Sequence, residues 1–200
     1  MDVPAKHSPV TLHPATGQHA RRTVENLAQL YRHDLSEFTG QLPAADGTFR
    51  FGPLPSFFDA PDRRAYLIRA ADQLAGFALT RRMDERVGPD GDQRTSLSAF
   101  FVVRALRGHG VGRRAALYLL SGRPGPWGIA YQEANPGAAR FWRQVAADAA
   151  GTAWHAERRP SPSGAAGAAP DVWLLLDTAN RHREATCPPG EQSAGTTATP

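Results

Sequence analysis

Residues 100–114 read Phe-Phe-Val-Val-Arg-Ala-Leu-Arg-Gly-His-Gly-Val-Gly-Arg-Arg, and no other stretch restricts the fold as much. The aromatic and β-branched run at 100–103 has the pattern of a buried strand. Gly108, Gly110 and Gly112 end it, while Val111, Ala115, Tyr118 and Leu119 start a helical stripe. A strand therefore passes into a helix through a backbone nearly free of side chains. Successive N–H groups of such a loop, with the positive end of the following helix dipole, make a seat for an anion. Phosphate or pyrophosphate is the anion this chemistry implies.

Three kinds of phosphate loop compete. A nucleoside-triphosphate loop ends in Gly-Lys-Ser or Gly-Lys-Thr; here Arg113 and Arg114 follow Gly112, so the lysine and the metal-binding hydroxyl are both missing. A dinucleotide loop fits residues 110–115 in its loosened Gly-x-Gly-x-x-Ala form, with Glu133 at about the right distance for a ribose contact. Against it, only one helix and two strand patterns follow Glu133, too few for a two-halved parallel sheet. The third reading takes Arg107, Gly108, His109, Gly110, Val111 and Gly112 as one unit. That unit resembles the Arg/Gln-x-x-Gly-x-Gly/Ala pyrophosphate loop of the GCN5-related N-acetyltransferase (GNAT) superfamily. Asn135-Pro136-Gly137-Ala138-Ala139-Arg140-Phe141-Trp142 is similar to the superfamily's Asn-x-x-Ala-x-x-Phe-Trp segment. Both blocks stand in the superfamily's order, about one helix and one strand apart. The plain alternative is a tight turn at the glycines and a helix cap at Asn135.

The resemblance implies an α/β (α+β) fold: a mixed, mostly antiparallel central sheet with helices on both faces. It implies that the fourth and fifth strands, 96–103 and 127–132, splay apart to admit the pantetheine arm of acetyl-CoA. The backbone of Phe101, Val102 and Val103 would then pair with pantetheine. Residues 107–112 would hold the pyrophosphate, with Arg113 close by, and Asn135 and Phe141 would line the cofactor side. The implied reaction moves an acetyl group from acetyl-CoA to a primary amine, on a small molecule or peptide, by direct attack. Many members carry a tyrosine in the helix after the fifth strand to protonate the leaving thiolate, whereas this chain has Phe141 and Trp142 there. Tyr131 or a water is the candidate replacement, and Glu133 or His109 the candidate base. Each has an ordinary reading too: a core tyrosine, a surface partner for an arginine, a solvated loop histidine. Tyr31 and Asp34, on the first helix, are the candidates for touching the acceptor. The missing tyrosine keeps open a non-catalytic acyl-CoA-binding or sensing module, with a dinucleotide-binding protein behind it.

The rest of the chain has the matching order. After a loose leader at 1–9 come a strand at 10–13 and a helix at 24–38 capped by Thr23, with Val24, Leu27, Tyr31, Leu35 and Phe38 on its core face. Residues 40–61 hold Phe49, Phe51, Phe57 and Phe58 among glycines and prolines, so an ordered loop or short helix packed over a cleft is expected. Strands at 65–70 and 73–80 turn near Ala71 and Asp72. The Gly88-Pro89-Asp90-Gly91-Asp92 run reads as a hairpin turn; no further ligands follow at calcium-loop spacing, and no metal is assigned. A helix at 112–120 and a strand at 127–132 follow, then a helix from Pro136 to about residue 150 capped by Asn135, and closing strands at 152–158 and 171–176. A flexible connection is expected at 160–170 and a disordered tail at 179–200, leaving one domain at 10–178.

Charge agrees with a polyanionic ligand. Residues 101–143 carry Arg104, Arg107, Arg113, Arg114, Arg123, Arg140 and Arg143 against one acid, Glu133, although the whole chain of 200 residues is only +4. No nucleic-acid module accompanies that basic zone, so no nucleic-acid partner is assigned. The single cysteine, Cys187, cannot form an intramolecular disulfide, and no apolar run has membrane-spanning length. A cytoplasmic protein without a membrane partner is the expectation.

Overall fold

The computed structural model describes residues 8–87, 91–159 and 170–179. Most of the expected leader, connection and tail, the centre of the 88–92 turn and Cys187 lie outside them. One mixed sheet organises the chain, in the order β1-β2-β3-β4-β5-β7-β6. Its strands are β1 (Val10–Pro14), β2 (Arg63–Ala70), β3 (Gln73–Val87), β4 (Asp92–Val102), β5 (Pro126–Gln132), β6 (Trp154–Arg159) and β7 (Asp171–Asp177). All neighbours pair antiparallel except β4 and β5, which are parallel.

Helices α1 (Gly17–Thr39) and α2 (Ser56–Asp59) cover one face, and α3 (Val111–Ser121) and α4 (Pro136–Ala150) the other. Val24, Leu27, Ala28 and Phe57 pack on Leu67, Phe77, Leu79 and Phe101. Across the sheet, Leu119, Leu120, Trp142 and Val145 pack on Trp127, Ile129 and Leu174. Strand alternation is what sends Leu79 and Phe101 to one face and Ile129 and Leu174 to the other.

Helix α1 begins well before the expected cap. Thr16 is its N-cap, without a side-chain hydrogen bond, and Thr23 sits inside the helix with its hydroxyl donating to His19 O at 3.0 Å. The added turn rests on Ala20, whose small side chain packs on the core without strengthening the apolar stripe. Gly40 closes the helix at φ 65°, its N–H donating to Ser36 O. Strands β3 and β4 also outrun the expected bounds, because their polar outer halves continue the hairpin without apolar alternation. A short 3-10 turn at Arg104–Leu106 separates β4 from the glycine loop, held down by buried Leu106.

Only three residue pairs join β4 to β5: Thr95↔Trp127, Ser96↔Gly128 and Leu97↔Ile129. Beyond them the strands separate, where β4 carries an irregularity that takes Ser98 out of register with β3. Close approach on the other side holds the separated half in place. A Cβ built on Gly76 would lie 1.9 Å from Phe101 O and 3.1 Å from Val102 Cα, so β3 presses against the part of β4 that borders the gap. Gly76→Ala is therefore expected to cost about 3 kcal/mol, lowering the thermal midpoint by roughly 10 °C. An unchanged melting curve would show that this approach is not required.

Candidate active site in the splayed sheet

Where β4 and β5 part, two adjoining cavities open. The larger, about 590 Å³, lies between the glycine loop, α1 and α4. The smaller, about 330 Å³, continues through the gap toward Phe51, Phe57 and Trp173. Tyr31, Leu35, Phe100, Asn135, Ala138 and Trp142 border both and so mark their junction.

The larger cavity holds the glycine loop expected to seat an anion. Gly108 and Gly110 both stand at φ 76°, a left-handed conformation that costs side-chain-bearing residues energy. Gly110 is the N-cap of α3, no side chain caps that end, and no acid occupies the first turn. The first bond of the helix ladder is Arg114 N–H to Gly110 O at 3.0 Å, which leaves the N–H groups of residues 111–113 without ladder partners. Arg104, Arg107 and Arg113 line the same cavity. A pyrophosphate fits this combination of open N–H groups, helix dipole and guanidiniums.

Arg107 is fixed from three sides. Its guanidinium lies 5.5 Å over the Phe101 ring, its Nε donates to Val102 O at 2.8 Å, and its Nη2 pairs with Asp34. Arg104 Nη2 reaches the other Asp34 oxygen at 2.7 Å. Partial burial pushes the Asp34 carboxyl up, yet the hydrogen bonds and charges of Arg104 and Arg107 outweigh it and hold the group below the usual carboxylate range. Asp34, a candidate for touching the acceptor, lines the larger cavity and ties Arg104 to Arg107 there. Arg113 is tied in turn to Asp148 of α4, Nε to Oδ2 at 2.6 Å.

The β4 edge beside this seat faces two ways. Val103 N–H donates to Ala75 O of β3 at 2.9 Å, and Phe101 O lies against Gly76, so both point away from the gap. Alternation then turns the peptide groups of Val102 into the gap. Of the three residues expected to present backbone there, Val102 is the one so oriented. Phe100 of β4 packs with Phe141 and Trp142 of α4, with ring centroids 4.7–6.1 Å apart, and all three line the larger cavity. Gly112 lets Phe141 settle on the start of α3: a Cβ there would lie 3.4 Å from Phe141 Cε2. Asn135 caps α4 as expected, its Oδ1 accepting the Ala138 N–H at 2.9 Å, with Pro136 next in the chain.

The other candidates divide. Tyr31 borders both cavities, and burial pushes its phenol up to about 12, against the charge of Arg32 and with that of Asp171. Tyr131 borders the smaller cavity, is only 3 % exposed, and its hydroxyl has no hydrogen-bond partner among the described residues. Glu133 lines neither cavity; Arg158 of β6 binds its carboxylate and holds it below the usual range. His109 and buried Val111 line neither, and His109 Nδ1 lies 2.8 Å from Arg107 O. Arg63, Arg81, Ser98, Asp171 and Trp173, which line the smaller cavity, were not singled out from the sequence. The one local signal was Asp171, a charged residue at the head of an apolar strand.

Solved structures share this fold. An aminoglycoside N(6')-acetyltransferase from Legionella pneumophila superposes with a TM-score of 0.63 at 11 % identity, over 88 % of this chain and 95 % of that one. The aminoglycoside acetyltransferase AAC(6')-Ib, in complex with coenzyme A and kanamycin, gives 0.58 at 13 %, over 89 % and 100 %. A spermidine N-acetyltransferase chimera from Vibrio cholerae gives 0.56 at 12 %, over 88 % and 99 %. No curated protein matches the sequence. Among the described residues, no helix is long and apolar enough to cross a membrane. The family model of the acetyltransferase (GNAT) family matches residues 27–146, the stretch from the middle of α1 to α4 that builds the anion seat and both sides of the gap, and the chain belongs to that family.

Proposed function

We propose that the chain is an acetyl-CoA-dependent N-acetyltransferase that modifies a primary amine by direct attack, without a covalent enzyme intermediate. The observation that carries this reading is the junction of an anion seat and a second cavity across the β4–β5 gap, bordered there by Tyr31. Solved relatives of the same fold that are named for acetylating aminoglycosides or spermidine support it. Cytoplasmic location, the expectation for the chain, goes with it.

Acetyl-CoA, when bound, supplies a thioester whose carbonyl carbon gains a bond to the amine nitrogen as its bond to sulfur breaks. Arg104, Arg107, Arg113 and the N–H groups at the start of α3 hold the pyrophosphate. The Val102 N–H offers a strand-like hydrogen bond to the pantetheine arm, while its carbonyl accepts from Arg107 Nε. Tyr131 gives the departing thiolate its proton, since α4 has no tyrosine to do so. Tyr31, with its phenol at about 12, stays protonated at neutral pH and orients groups at the junction as a donor. An alkyl ammonium, with a pKa near 10.4, must lose a proton before attack. Water at the cavity mouth takes that proton, since Glu133 is bound to Arg158 outside both cavities.

Calorimetric titration with acetyl-CoA, with NADH as the comparison, tests the reading. Micromolar acetyl-CoA binding followed by amine-dependent release of free CoA is the expected result. Binding without release for any amine would favour the sensing module, and preference for NADH the dinucleotide reading.

A further inference from the structure

The smaller cavity carries charge that a simple amine does not need. Arg63 and Arg81 stand directly opposite each other on β2 and β3 and both line it. Opposed residues of an antiparallel pair share a face, and like charges there are destabilising unless something neutralises them. Arg63 is held in place: it lies 5.3 Å over the Phe57 ring, donates to Ser56 Oγ at 2.8 Å, and has Asp62 at 3.7 Å. Among the described residues, the Arg81 side chain has neither an ion pair nor a hydrogen bond. Two adjacent guanidiniums, one of them uncompensated, face the cavity.

The same cavity gathers unsatisfied polar atoms. Ser98 Oγ, Tyr131 OH and Trp173 Nε1 are buried without partners, and all three residues line it. Buried polar groups are nearly always hydrogen-bonded in folded proteins, so three unpaired ones on residues that border one cavity set it apart from an ordinary apolar core. Asp171, 7 % exposed, adds a carboxylate from β7, three strand positions from β3, on the order of 15 Å in a flat sheet. Positive charge therefore lies toward β2 and β3, and negative charge toward β7, with aromatic walls from Phe51 and Phe57. A volume of about 330 Å³ is at the small end for ligand pockets.

We propose, on the reading of the chain as an acetyltransferase, that its acceptor is a small apolar amino acid whose carboxylate is held by Arg81 and Arg63 and whose amine reaches the junction with the cofactor cavity. A polyamine or aminoglycoside would bring its positive charges against the two guanidiniums, at a cost that Asp171 alone does not offset.

Matched acceptors test this. Phenylalanine and leucine, phenethylamine and isoamylamine, which lack only the carboxylate, and spermidine are compared by release of free CoA from acetyl-CoA. The amino acids are expected to exceed their decarboxylated partners about 100-fold in kcat/KM. Arg81→Ala is expected to collapse that ratio toward one, chiefly through the KM of the amino acid, and Arg81→Lys to restore part of it. Calorimetric binding of acetyl-CoA to both variants reports that they are folded. Equal or better use of phenethylamine or spermidine, or an unchanged ratio in Arg81→Ala, overturns the assignment. So does binding of acetyl-CoA with no turnover of either amino acid. Failure of the wild-type chain to bind acetyl-CoA instead brings down the acetyltransferase reading itself.

Discussion

Tyr131→Phe is expected to lower kcat about 100-fold while leaving the thermal midpoint unchanged or slightly raised. Protonation by a positioned acid is worth about 10²–10⁴ in rate, and the lower end suits a thiolate, whose conjugate acid has a pKa near 8.5 and so leaves readily unaided. The structural side of the prediction runs the other way. The hydroxyl is buried without a partner, a condition that costs about 1–3 kcal/mol, while the ring packs with Trp127, Ile129 and Trp142 and is preserved in phenylalanine. A purely structural tyrosine would lose neither rate nor stability on this change. Steady-state kinetics paired with a melting curve separates the cases: unchanged kcat removes Tyr131 from the mechanism, and a fall in kcat accompanied by a large fall in midpoint assigns the loss to packing.

Gly110→Val should weaken acetyl-CoA binding about 100-fold and cost much less in folding. Its φ of 76° is a region where an L-residue pays about 1–2 kcal/mol, more when β-branched. The new Cβ would also meet Arg114 Nη1 at 3.0 Å. Relief of either strain rotates the peptide that starts α3 and turns its free N–H groups away from the anion, removing several charge-assisted hydrogen bonds at once. The loop is exposed, so the fold loses only the local strain, a few degrees in midpoint. Calorimetry with acetyl-CoA reads the first effect and thermal melting the second. Unchanged affinity would reduce the glycine run to a turn.

Much of the architecture was legible because it is encoded over short distances. The β4–α3 passage shows as an apolar run broken by glycines, and the start of α4 as Asn135 followed by Pro136. Each is set by backbone preference and capping within a few residues. The bounds of α1 were less legible, since Ala20 packs on the core without marking a stripe. The β4–β5 splay was expected from the resemblance, not from any pattern in the strands themselves. Gly76 carries a signal of its own, because a glycine inside a strand marks close backbone approach. The pairing of Asp34 with Arg104 and Arg107 was not legible, because a polar residue beside the core face of a helix says nothing about what lies across from it.

Sequence alone therefore determined the order of elements, the glycine loop that opens α3 and the cap that starts α4, all consequences of local conformation and periodicity. Tertiary structure decided the partners. Asp34 meets Arg104 and Arg107 across separations of 70 and 73 residues. Arg63 meets Arg81 through the β2–β3 register, and Tyr131, Ser98 and Trp173 border one cavity beside the point where β4 leaves β5 after three pairs. A one-residue change of register would send those side chains to the opposite face, and register is set by the packing of both faces of the sheet together.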